Sequence, residues 1–320
     1  MASAMVAVAS TMAFSTVARA GVIGQLPPGT PAAGCVAQGD LFQFTTSQGD
    51  NYEVKDEGVL TSWSTNAAAN PGQQVTFKLF RQVAPGSFVV LAHDTRSLAP
   101  GVVNTFKALI PVKPGDIIGL NSGNAATVPN ACEFPAEESD SIFFFNGDAG
   151  DGANISTHVD DDQFRVNVSA TTVAPPSIRT DRPVDLGSIA GGKSIVLTGF
   201  NFVDVSAVTF GGVPAAGFTV DSPTQITAVA PPGKTLDTIS LAVTNVAGTA
   251  VTPDVFSYEG CLVPKLTGKK LSVAKTKLTA AGCRLGRVKG RRSKRAKVVK
   301  QSPAKGKLLP PGSKVGVKLR

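Results

Sequence analysis

Turn signals cut the first half of the chain at short intervals: Asn70-Pro71-Gly72, Pro85-Gly86, Pro100-Gly101 and Pro114-Gly115-Asp116. Few helices fit between such breaks, whereas strands of about 3–10 residues fit well. The intervening runs read as strands: Leu41–Thr45, Gly58–Ser64, Gln74–Val83, Ser87–Thr95, Val103–Pro111, Ile117–Asn121, Ser141–Asn146 and Gln163–Val168. In one of them Val75, Phe77 and Leu79 alternate with Thr76, Lys78 and Phe80, the period of two that sends alternate side chains to opposite faces. Many short strands with such punctuation indicate a β-sandwich of jelly-roll type from residue 35 to about 170. The single tryptophan, Trp63, falls in a strand and is expected in the core, with a sugar-stacking platform as the alternative.

At about 100–200 residues per domain, 320 residues make two or three domains. A hydrophobic content of 42% against 17% charged is enough to build cores. No apolar run reaches the roughly 18 residues of a membrane-spanning helix. Residues 4–17 are small and apolar, and Ala18-Arg19-Ala20 follows as a cleavage signal. This reads as a secretory signal peptide over residues 1–20, although no Lys or Arg precedes the apolar stretch. Residues 21–34 are rich in Pro and Gly and are expected to be a flexible leader, and residues 171–178 a short linker.

After the linker comes a second module. Its signature is Gly191-Gly192-Lys193-Ser194-Ile195-Val196-Leu197-Thr198-Gly199-Phe200-Asn201-Phe202, then Ala207-Val208-Thr209-Phe210-Gly211-Gly212-Val213-Pro214-Ala215. Gln225–Pro231 and Phe256-Ser257-Tyr258 complete it. Residues 175–259 thereby resemble an IPT/TIG domain, an immunoglobulin-like sandwich. Gly211-Gly212 suits a tight hairpin that needs positive φ. Some members of that family bind DNA through loops. Here Asp204, Asp221 and Asp237 are expected in the loops and would repel phosphate, which favours a spacer or adhesion module.

Residues 261–320 resemble a PASTA domain. The match runs from Val263-Pro264-Lys265-Leu266-Thr267-Gly268 through a helix pattern to Gln301-Ser302-Pro303 and Pro311-Gly312-Ser313-Lys314-Val315. Leu271, Ala274, Leu278 and Ala281 form the apolar face of the helix, and Gly282 stands at the C-cap position. The resemblance implies a small α+β domain that contacts peptidoglycan. The first module, carrying GVLTSWST, PGQQVTFKLFR and IPVKPGDIIGL, resembles a β-sandwich domain of secreted bacterial proteins, which implies secretion and fold but no chemistry. The expected fold class is therefore mainly β: two sandwiches followed by a small α+β domain.

Charge is divided along the chain. Residues 261–320 hold 19 Lys and Arg and no Asp or Glu, so all 23 acidic residues precede them. Such a tail attracts polyanions. The candidate residues are Arg287, Lys289, Arg291, Arg292, Lys294, Arg295, Lys297 and Lys300. The segment has no Phe, Tyr or Trp for base stacking, so specific nucleic-acid binding is not expected.

The four cysteines, Cys35, Cys132, Cys261 and Cys283, suit two bridges in a secreted chain and allow three pairings. Cys35–Cys132 with Cys261–Cys283 keeps each bridge inside one module. No C-x-x-C pair is present for a zinc knuckle or redox site.

Catalytic patterns are scarce. The only histidines are His93 and His158. There is no G-x-S-x-G, H-E-x-x-H or Walker motif. His93-Asp94 is expected to be an exposed pair rather than a base with its orienting acid. Glu137-Glu138 matches no glycosidase arrangement. Asp148, Asp151 and Asp160-Asp161-Asp162 beside His158 offer oxygen ligands for a structural calcium ion, but solvated loop charge is the default reading. No catalytic residue and no required cofactor is assigned.

Two functions of different class follow. In the first, the chain is a secreted, non-enzymatic envelope protein whose basic domain binds peptidoglycan or an anionic wall polymer while the sandwiches act as spacers. In the second, the first sandwich is a carbohydrate-binding or hydrolytic unit carried by a targeting tail.

Overall fold

The computed structural model describes residues 21–320 apart from 33, 36–38, 47–51, 137–138, 161–162, 180–183 and 294. Residues 1–20, read above as a signal peptide, the Glu137-Glu138 pair, Asp161, Asp162 and Lys294 lie outside the described residues. The architecture is mainly β, and the helix Leu271–Ala280 is the one α-helix among the described residues.

The first module is a sandwich. One sheet runs Gly21–Gln25, Val168–Val173, Gly58–Asn66 and Val103–Val112 in spatial order. The facing sheet has seven strands, with Gln74–Ala84 and Asp116–Asn121 at its centre. Leu60 and Trp63 from the first sheet meet Val75, Phe77 and Leu79 from the second, all fully buried. The Trp63 and Phe77 rings stack across the core with centroids 5.3 Å apart.

The opposite face of Gln74–Ala84 is buried too. Phe80 joins Phe42, Phe88, Val90, Phe143 and Ile155 in a second, aromatic layer on the outside of the seven-stranded sheet. Phe42 and Phe80 stack with centroids at 4.2 Å. Gly119 lies on the strand between them, where a Cβ would stand 2.2 Å from Leu41 O and 2.7 Å from Phe42 Cβ. Only glycine allows that approach.

The leader differs from expectation. Gly21–Gln25 is an edge strand paired antiparallel with Val168–Val173, and Ile23 is buried. The Arg165 guanidinium also bonds the Gln25 side chain. Five residues with paired backbone and one core side chain are held in place despite the Pro/Gly-rich sequence that follows. The linker is likewise ordered: Thr171–Val173 completes the sandwich strand, and Asn245 and Asn201 side chains donate to Ala174 O and Pro175 O.

The second module packs Ser177–Ile178, Ser194–Phe200, Gln225–Val229 and Gly217–Ser222 against a five-stranded sheet. Leu197, Phe210, Ile226, Leu241 and Phe256 are the centre of its core. Gly211 and Gly212 take φ of +56° and +80° in the tight hairpin after Ala207–Phe210, as the turn requires. Asp221 is on strand Gly217–Ser222 rather than in a loop, where its carboxylate accepts from Thr227 Oγ1 at 2.8 Å.

In the C-terminal domain the helix buries Ala274 and Leu278 against Val315, Val317 and Leu319. Gly282 follows it with φ +68°, and Cys283 N bonds back to Leu278 O at 2.8 Å, ending the helix. Strands Arg284–Lys289, Lys314–Leu319 and Val298–Ser302 form its sheet, in that order. Both disulfides follow the within-module pairing, Cys35–Cys132 and Cys261–Cys283, each with Cα atoms 4.8 Å apart. The second ties strand Cys261–Leu262 to the end of the helix, a useful brace for a domain with so small a core.

Candidate polyanion-binding face

Alternation along Lys314–Leu319 divides its side chains. Val315, Val317 and Leu319 point into the core beneath the helix, and Lys314 and Lys318 are left on the outer face. This strand is central, so its outer residues have neighbours on both sides. Lys318 is in register with Lys289 of the parallel strand and with Lys300 of the antiparallel one. Three lysines thus meet in one cross-strand row. Two residues earlier Gly316 offers no side chain, and Ser302 is its register partner. The result is an open trough of about 380 Å³ lined by Arg287, Lys289, Lys300, Ser302, Gly316 and Lys318, among others.

The electrostatics of this face are one-sided. The ion pairs Lys78–Asp40, Arg81–Asp116 and Arg165–Asp140 lie in the first sandwich, while residues 261–320 contain no acidic side chain to form one. Like charges directly opposite on neighbouring strands repel, and an anion in the trough relieves that repulsion.

Comparison with known proteins agrees with this division of the chain. The family model for the IPT/TIG domain matches residues 184–258, and that for the PASTA domain matches residues 262–320. The chain therefore carries a TIG domain followed by a PASTA domain. No curated protein matches it. Among solved structures it is similar to "SGBP-B from a complex xyloglucan utilization locus in Bacteroides uniformis", at 15% identity and a TM-score of 0.24. That alignment covers 68% of this chain and 55% of the other, so the chain spans little more than half of that protein's length.

Within the PASTA domain the eight candidate residues separate into groups. Arg287, Lys289 and Lys300 line the trough. Arg291, Arg292 and Arg295 are exposed on the connection from Arg284–Lys289 to Val298–Ser302. Lys297 pairs through its backbone with Arg320, and Lys294 is outside the described residues. Arg287 and Lys289 are on a strand, not in a charged loop. Lys318 and Gly316 belong to the trough but were not among the candidates. The period of two in Lys314, Gly316 and Lys318 is the signal that points to them.

Among the described residues the other candidates do not assemble a site. Trp63 is fully buried, and its Nε1 donates to Asp94 Oδ2 at 2.7 Å, so it offers no platform for a sugar. His93 faces Asp151 across 2.8 Å instead of Asp94, which pairs with Arg96. The loop carboxylates have partners of their own: Asp148 lies 2.5 Å from Lys78 Nζ, and Asp151 Oδ1 lies 2.8 Å from His93 Nδ1. His158 packs its ring edge-on to Phe144, with centroids 5.6 Å apart. Among the described residues no group of three His, Cys, Asp or Glu is placed to hold a metal ion. Likewise no described helix is long and apolar enough to cross a membrane.

One connection positions the basic face relative to the TIG domain. Leu308 of the PASTA domain packs on the TIG core. Gly260 between them is so closely covered that a Cβ would stand 2.8 Å from Leu236 Cδ2.

Proposed function

We propose that the chain is a secreted, non-enzymatic cell-envelope protein. Its PASTA domain holds peptidoglycan or an anionic wall polymer, and the TIG domain and first sandwich project away as spacer and adhesion modules. The observation that carries this reading is the outer face of the PASTA sheet, where cations from three strands meet with no acidic side chain in the domain. Two internal disulfides suit an oxidising, extracellular compartment.

Co-sedimentation with insoluble cell-wall sacculi tests the reading. The three domains have separate hydrophobic cores, so residues 21–260 serve as a control lacking the PASTA domain. The full chain is expected to pellet with sacculi and residues 21–260 to stay in solution. Equal pelleting of both would move the binding site into the sandwiches and overturn the reading.

A further inference from the structure

The lysine row sets a charge spacing that a ligand has to match. Neighbouring strands lie about 4.8 Å apart, so Lys289, Lys318 and Lys300 form a line roughly 10 Å long. Charges closer than about 8 Å are poorly screened at physiological salt. Such a row is costly in the free protein at low and physiological salt, and an anion that offers several charges at close intervals relieves it. Gly316 shapes the place for it. Above Gly316 the sheet is uncovered, with Arg287 and the Ser302 hydroxyl on the two sides. Arginine and hydroxyl donors suit the oxygens of a phosphodiester.

We infer that this trough binds one chain of a phosphodiester-linked polyol polymer of the wall, with successive phosphates along the Lys289–Lys318–Lys300 row. The inference rests on the envelope reading above and names the ligand class and the site. A phosphodiester backbone carries a charge in every repeat, which matches a dense row of cations. The glycan strands of peptidoglycan bear their carboxylates on peptide branches, and their sugar rings favour aromatic platforms. Residues 261–320 contain no Phe, Tyr or Trp. The same lack leaves nucleic-acid bases with nothing to stack on.

The test uses the full chain with purified poly(glycerol phosphate), and with sacculi before and after chemical removal of their phosphate polymers. Three variants separate a site from diffuse charge. K289Q/K300Q/K318Q removes the row. K269Q/K275Q/K277Q removes the same charge from exposed positions on the helix side. Gly316→Gln fills the trough without changing charge. A Cβ there meets Arg287 O at 3.4 Å and Ser302 O at 3.6 Å, ordinary contact that leaves the fold intact.

The row variant is expected to weaken binding by about tenfold or more, and to flatten the slope of log K against log salt by about 2. Gly316→Gln is expected to weaken binding several-fold, and the helix-side variant by less than about twofold. Equal losses from the two triple variants, or no loss from Gly316→Gln, would overturn the site. Undiminished binding to stripped sacculi, or equal competition by duplex DNA at matched phosphate, would overturn the ligand class. These outcomes leave the envelope reading standing. That reading fails separately, if the unaltered chain pellets with neither native nor stripped walls.

Discussion

Lys78 Nζ stands 2.7 Å from Asp40 Oδ1, and neither side chain reaches solvent. The ammonium also donates to Asp148 and to Ala149 O, and Asn121 Nδ2 donates to Asp40 Oδ1 at 2.7 Å. This polar cluster lies beside the outer aromatic layer and ties the Gly147–Gly152 segment to the sheet. A buried pair of this kind contributes little relative to apolar replacement, but breaking it is costly because the remaining charge is stranded.

Lys78→Met is therefore expected to destabilise the first sandwich by about 3–5 kcal/mol at neutral pH. Burial holds the Asp40 carboxyl above its ordinary value of 3.8, against the lowering effect of Lys78 and Asn121. A carboxyl raised in the fold takes up a proton on folding. Its contribution is fully present below 3.8 and is lost as the pH rises through the raised value. Losing Lys78 raises that value further, so the damage from Lys78→Met should shrink as the pH falls towards 4. Urea denaturation at several pH values measures this, and a penalty independent of pH would count against a stranded carboxylate.

Trp63 is the sole tryptophan and sits at the centre of the first sandwich, so its fluorescence reports that domain alone. Its indole N–H is satisfied by Asp94. Asp94→Ala leaves the N–H buried without a partner, at a cost of about 1–3 kcal/mol. The midpoint of the fluorescence transition in denaturant is expected to fall accordingly. An unchanged midpoint would mean that another acceptor replaces Asp94.

Much of the first fold was legible because turns are local. Pro85-Gly86 and Pro114-Gly115 place the ends of Gln74–Ala84 and the start of Asp116–Asn121 without any knowledge of pairing. What was not legible depends on distant chain. Alternation places Phe80 and Lys78 on the face opposite Phe77, but only the return of residues 147–157 decides that this face is covered. The same holds for the lysine row. Local pattern does not mark Arg284–Lys289 as a strand, because its partner Lys314–Leu319 lies far along the chain and the two pair in parallel. In sequence Arg287–Lys300 is one charged stretch, whereas the sheet divides it into trough residues and an exposed connection.

The Cys261–Cys283 bridge closes a loop with a sequence separation of 22. In the chain-entropy model a loop of that size contributes about 3 kcal/mol. Replacing both cysteines with serine is expected to lower the PASTA unfolding transition by about that amount while leaving the Trp63 transition in place. Calorimetry alongside fluorescence separates the two domains. A shift in both transitions would show that the bridge also supports the sandwich through the TIG domain.

The lysine row carries a last consequence for the free protein. Lys318 is opposed by Lys289 on one side and Lys300 on the other, so it is the member under most repulsion. Its neighbours in sequence, Val317 and Leu319, fix the strand, and its own side chain is exposed. Lys318→Gln keeps the first two methylenes of the stem and removes the charge. Cross-strand pairs are worth about 0.2–1 kcal/mol each, so relieving two should stabilise the unbound PASTA domain by about 0.5–1.5 kcal/mol at low salt. The gain should fade towards about 0.5 M salt, where screening already removes the repulsion. The same change is expected to weaken binding to an anionic polymer. A residue whose removal stabilises the free domain and weakens the complex is held there for the ligand, not for the fold. Calorimetry of the PASTA transition at two salt concentrations reads the effect. No gain at low salt would show that the lysine side chains splay apart and do not act as a row.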